Sequence, residues 1–87
     1  MEIEFDPAKE RLNRKKHGVG FEEAATCLLD PMALVREDDG SEGEQRFVLL
    51  GMSNTARLLV VIYTLRDESV RLISARKPSK REEKSYA

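Results

Sequence analysis

Eighty-seven residues, 36% of them charged and 40% apolar, with a formal net charge of −1, set the bounds of one small domain spanning residues 1–87. A chain of this length buries only about 60–65% of its unfolded surface, so a bound partner would add to a thin margin of stability. No apolar run approaches the roughly 20 residues of a membrane helix, the polar N-terminus is unlike a signal peptide, and the lone Cys27 permits no internal disulfide, so a cytoplasmic protein is expected.

In chain order, residues 2–5 alternate polar and apolar side chains as a short edge strand does. Asp6 before Pro7 predicts an N-cap and a first-turn proline for a helix that runs to His17. Gly18 closes it in the left-handed conformation, and Arg14, Lys15, Lys16 and His17 sit at the negative end of its dipole. Only Ala8 and Leu12 mark a buried face. In a second helix Phe21, Ala24, Ala25 and Leu28 recur at i, i+3, i+4 and i+7, and Asp30 before Pro31 ends it. The two helices read as a hairpin laid across a sheet.

A short strand over 32–36, a turn-rich loop over 38–43 and a strand over 45–50 closed by Gly51 follow. The stretch 58–76 is the organising element. Residues 58–65 are apolar on both alternating faces, as in a central strand covered on both sides. A four-residue turn of Arg66, Asp67, Glu68 and Ser69 leads into a strand with Val70, Leu72 and Ser74 on one face and Arg71, Ile73 and Ala75 on the other, ending at Arg76. Pro78 breaks it, and Ser79 with Glu82 three residues on has the spacing of a capping box opening a last helix. The predicted class is α+β: strand, two helices, four strands and a short C-terminal helix, with the strands in a small antiparallel sheet.

The near-neutral total hides a segregation of sign. Residues 9–17 carry Lys9, Arg11, Arg14, Lys15 and Lys16 against Glu10, a net of +4, and residues 76–87 carry a net of +3. Residues 22–46 hold the counterweight of −6. Such a pattern points to a polyanion on one surface and a basic partner on another, or to ordinary solvated charge. One histidine and one cysteine do not make a zinc site without carboxylates, and Cys27 and His17 lie on different helices with nothing to orient the histidine. Residues 37–44 lack the alternating ligands of a calcium loop, and the glycines lack phosphate-cradling spacing.

What remains is a set of basic residues on strands and strand ends: Arg46, Arg57, Arg66, Arg71 and Arg76, with Lys77, Lys80 and Arg81 beside them. A sheet face with several arginines can grip phosphates and stabilise the added charge of a phosphoryl transition state without a metal. With RNA, the substrate's own 2′-hydroxyl is the nucleophile, and the protein supplies positioning, charge stabilisation and proton transfer. The same alternation also produces exposed arginines with no role, and the capping box alone accounts for a glutamate at 82.

The segments Phe5-Asp6-Pro7-Ala8-Lys9, Lys16-His17-Gly18, Phe21-Glu22-Glu23-Ala24, Glu42-Gly43-Glu44-Gln45-Arg46-Phe47, residues 58–64 and Ile73-Ser74-Ala75-Arg76-Lys77 resemble, in order and over nearly the whole chain, the BrnT family of bacterial type II toxins. The resemblance implies a compact ribonuclease toxin with a RelE-like fold, and with the arginine argument above no cofactor or metal is expected. It also implies neutralisation by a BrnA-like antitoxin whose ribbon-helix-helix part lets the complex bind operator DNA. Carried over by position, Arg46, Arg66 and Arg76 are the residues that bind or polarise the scissile phosphate, and Glu82 takes or relays a proton, with Glu83 as the alternative. Lys77, Lys80 and Arg81 track the RNA backbone. A non-catalytic module that binds an antitoxin-like partner and nucleic acid is the competing reading.

Overall fold

The computed structural model describes residues 2–38 and 43–86; most of the expected 38–43 loop, at residues 39–42, lies outside them. The elements are β1 (Glu2–Glu4), α1 (Pro7–His17), α2 (Phe21–Thr26), a 3-10 turn (Cys27–Leu29), β2 (Leu34–Glu37), β3 (Arg46–Met52), β4 (Leu58–Arg66), β5 (Ser69–Arg76) and α3 (Lys80–Ser85). The α+β class and the element order are those predicted. The sheet runs β1-β5-β4-β3-β2 and is antiparallel from β5 to β2. It is mixed rather than wholly antiparallel, because β1 pairs parallel with β5. No turn links these two strands, so nothing local sets the direction in which β1 joins.

The helix termini follow the residues that signal them. The Asp6 side chain accepts from the Ala8 N–H at 2.8 Å, Pro7 opens α1, and Gly18 at φ 70° closes it by donating its N–H to the Arg14 carbonyl. The buried face of α1 is not the expected one. Ala8 and Leu12 are exposed, Leu12 by 67%, and the residue that docks the helix is the buried Asn13. Its amide donates to the carbonyls of Val19 and Ala75 at 3.0 and 2.8 Å, and its oxygen accepts from the Ala75 N–H at 3.0 Å. Asn13 thus substitutes for a strand neighbour on the edge of β5, which β1 accompanies only over Ser69, Val70 and Arg71.

Phe21 and Ala24 of α2, with Val19 and Cys27, close over Leu49, Leu59, Val61, Val70, Leu72 and Ala75 to form the main core. Phe5 meets Phe21 edge to face at 5.3 Å, tying β1 to α2. The second helix is shorter than its period suggests: it ends at Thr26 and tightens into the 3-10 turn. Gly51, expected to close β3, lies inside it, where a side chain would meet Leu49 and the Cys27 carbonyl. Between β4 and β5, Arg66 and Ser69 pair, so the turn is the two residues Asp67 and Glu68, with Asp67 at φ 52°. The opposite face of the sheet is covered only in part, where Val48, Leu50 and Val60 meet Tyr86 just beyond α3.

Candidate functional site

Residues directly opposite each other on neighbouring strands share a face, so the register fixes which arginines stand together. Arg36 lies opposite Val48, Arg46 opposite Thr64, Thr64 opposite Arg71, and Val60 opposite Arg76. Arg66, two residues beyond Thr64, falls on the same side. All five project from the face that α1 and α2 leave open. Arg71 and Arg76 are five residues apart, and strict alternation would send them to opposite faces. The register shift at Ile62/Tyr63, which skips Ile73, brings them to one. The expected grouping of β5 is corrected accordingly: Val70, Leu72 and Ala75 lie in the helix-covered core, while Arg71, Ser74 and Arg76 share the open face.

The three arginines singled out by the resemblance share this face but not one point on it. At about 3.4 Å per residue along β4, the level of Arg46 is roughly 14 Å and that of Arg66 roughly 20 Å from the level of Arg76. Arg66 is held by Glu44, with Nε and Nη2 at 3.0 and 3.3 Å from the carboxylate. Arg71 reaches Glu4 at 3.5 Å. Among the described residues no ion pair involves Arg46.

Arg76 ends β5 and meets the first turn of α3. Its Nη1 and Nη2 donate to the two carboxylate oxygens of Glu82 at 2.8 and 3.0 Å, a fork-on-fork pair. Glu82 also accepts the Ser79 N–H at 2.8 Å, and the Ser79 hydroxyl accepts the Glu82 N–H at 3.2 Å, so the expected capping box is present as well. The Arg76 guanidinium is the main reason why the Glu82 carboxyl is held down to about 2, well below its ordinary 4.5. A second clamp holds the other end of α3: the Tyr86 hydroxyl donates to Asp30, which also accepts the N–H groups of Met32 and Met52. Beside α3 and β2 the open face has a cavity of about 180 Å³, floored by Leu34, Val48, Leu50 and Val60 and rimmed by Arg36 and Glu82. Lys77, Lys80 and Arg81 are exposed next to Arg76, and so is Glu83.

Arg57 leaves the set. It stands on the helix side, where its Nε donates to Glu23 of α2 at 2.8 Å and its Nη2 closes on the same carboxylate. Ser53 and Thr55 add hydroxyl donors at 2.7 and 2.6 Å. Glu23 is thereby also held at about 2, chiefly by Arg57. Sequence reading misses this network because its members are up to 34 residues apart with no shared spacing. Cys27 is fully buried, and burial pushes its thiol up to about 11, an inert core cysteine. Among the described residues no group of three His, Cys, Asp or Glu side chains is placed to hold a metal ion, and no helix is long and apolar enough to cross a membrane.

Residues 5–82 match the model of the family described as the ribonuclease toxin, BrnT, of type II toxin-antitoxin systems. The chain belongs to the BrnT family. It is similar to the crystal structure of the Brucella abortus ribonuclease toxin, BrnT, at 26% identity and a TM-score of 0.71, covering 92% of this chain and 99% of that one. No curated protein matches the chain. BrnT membership makes the chain an endoribonuclease of a toxin-antitoxin system, with an antitoxin as partner and RNA as substrate.

Proposed function

We propose that this BrnT toxin cleaves RNA without a metal, by attack of a 2′-hydroxyl on the adjacent phosphate, at the end of β5 where Arg76 meets Glu82. The observation that carries the reading is the Arg76–Glu82 fork on an otherwise open arginine face. A phosphate offers the guanidinium the same planar pair of oxygens that Glu82 now supplies. Exchange of one for the other places Arg76 on the scissile phosphate and frees Glu82. Without its guanidinium partner the carboxylate loses the largest influence holding it below the usual range and becomes more basic. It then takes the 2′-hydroxyl proton as the 2′-oxygen bonds to phosphorus and the bond from phosphorus to the 5′-oxygen breaks. The products are a 2′,3′-cyclic phosphate and a 5′-hydroxyl, whose proton returns from Glu82 or water. Glu83, exposed one residue on, is the alternative acceptor.

Arg46 on β3 and Arg66 at the end of β4 stand too far from Arg76 along the strand direction to share that phosphate, so we assign them to neighbouring nucleotides on the same face, and Lys77, Lys80 and Arg81 to the backbone beside Arg76. The partner fits a BrnA-like antitoxin with a ribbon-helix-helix part, acting in the cytoplasm and binding operator DNA only as the complex. An antitoxin segment rich in acids would cover the arginine face, and its affinity would fall as salt rises. Incubation of purified protein with RNA in EDTA tests the reading. Multiple turnovers leaving cyclic-phosphate ends are expected. A shift in RNA mobility without cleavage would favour the non-catalytic module instead.

A further inference from the structure

The basic segment 9–17 has no part in the cleavage chemistry, yet α1 carries it to β5. The stripe of α1 at i, i+3, i+4, i+7 and i+8 is Lys9, Leu12, Asn13, Lys16 and His17, the set of positions that ordinarily forms the apolar, sheet-facing side of a surface helix. Here Asn13 alone of the five is buried. The other four open onto a cleft of about 200 Å³ between α1 and the edge of β5, completed by Ile73 and Ser74. The edge is free of a strand because β1 stops pairing at Arg71, and Ile73 is the residue skipped at the bulge. The cleft therefore has an apolar lining in Leu12 and Ile73 and two lysines, Lys9 and Lys16, whose backbone positions are about 10 Å apart along the helix axis, with His17 beside the second. No Asp or Glu is among its lining residues. Asn13 fixes the cleft to the site, since it holds both backbone groups of Ala75, the residue before Arg76.

We propose that this cleft is a nucleotide-binding subsite, in which a base of single-stranded RNA lies on Leu12 and Ile73 while the phosphates on either side pair with Lys9 and Lys16. The two basic ends of the chain then form one path for the RNA along β5, from α1 past Arg76 to Lys77. The inference rests on the ribonuclease reading for its ligand but not for its geometry.

The test uses the full chain and a fluorescein-labelled ten-nucleotide RNA made uncleavable by 2′-O-methylation. Replacing Lys9 and Lys16 together with Gln removes two phosphate contacts, so the slope of log affinity against log salt should fall by about 1.4 and binding at low salt should weaken by about tenfold or more. Leu12→Ser, at an exposed position, should weaken binding severalfold and leave the slope unchanged. The control is Arg11→Gln with Lys15→Gln, which removes the same charge from exposed positions outside the cleft. Equal loss in the control, or an unchanged slope in Lys9→Gln/Lys16→Gln, overturns the subsite. If the double variant shows the expected fall in slope but the native chain leaves the unmethylated RNA intact, the nuclease reading fails and the subsite stands.

Discussion

Two arginine–glutamate forks lie on opposite sides of the same sheet, and each holds its glutamate at about 2. Glu23 and Arg57 join α2 to the loop between β3 and β4, and the carboxylate is saturated by Ser53 and Thr55 besides the guanidinium. Glu82 and Arg76 join α3 to the end of β5 beside an unfilled cavity and three exposed cations. A perturbed carboxyl alone therefore does not mark a catalytic group. The difference is not exposure, since the two arginine side chains are 38% and 36% exposed, but setting: the Glu23 carboxylate is shared with the hydroxyls of Ser53 and Thr55, whereas Arg76 stands on the arginine-bearing face beside a cavity.

The sharpest way to break the comparison is to remove each arginine in turn. Arg76→Ala should lower RNA cleavage by about a hundredfold to a thousandfold, the range for loss of one charge-stabilising donor in a transition state, and abolish toxicity in a bacterial host. Next in size, Glu82→Gln should lower cleavage by about a hundredfold while a protein with native circular dichroism persists. Gln fills the capping box as well as Glu but loses the ion pair with Arg76, so the melting temperature should drop by a few degrees. Ser79→Ala weakens the same cap by about 1 kcal/mol, leaves the carboxylate in place, and should retain most of the activity.

Arg57→Ala should do the reverse. It leaves the half-buried Glu23 with only its hydroxyl donors and should lower the urea midpoint, with kcat of the folded fraction unchanged. The smallest effect is with pH. Both glutamates have folded pKa values of about 2 against ordinary values of 4.5, so their contribution to stability is complete above about pH 4.5 and is lost as pH falls through 2. Solvent screening of these partly exposed pairs limits the loss to about 1 kcal/mol each. Acid titration of the urea midpoint should show it, reduced in Arg57→Ala and in Glu82→Gln by one glutamate's share.

The elements themselves were legible because their signals are local: Asp6-Pro7 and Gly18 bracket α1, the apolar run of β4 identifies the centre of the sheet, and Ser79 with Glu82 forms the predicted cap. What sequence could not supply is set by distant contacts. Asn13 docks α1 through Ala75, 62 residues away, and a polar residue gives no sign of such a burial. The bulge at Ile73 depends on how β5 meets β4, yet it decides whether Arg76 stands on the arginine-bearing face or in the core. Alternation alone would have placed Arg71 and Arg76 on different faces. The resemblance singled out Arg76 and Glu82 separately, and only the structure shows that they pair.

The exchange of Glu82 for phosphate on Arg76 is tested most directly by carboxyl-carbon NMR titration of Glu82, free and with an uncleavable 2′-O-methylated RNA bound. On this account Glu82 titrates at about 2 in the free protein and moves up toward 4.5 with RNA, while Glu23 stays at about 2 in both and serves as the internal reference. A Glu82 that remains at about 2 with RNA bound has kept its arginine, and Arg76 is then not the group that holds the phosphate.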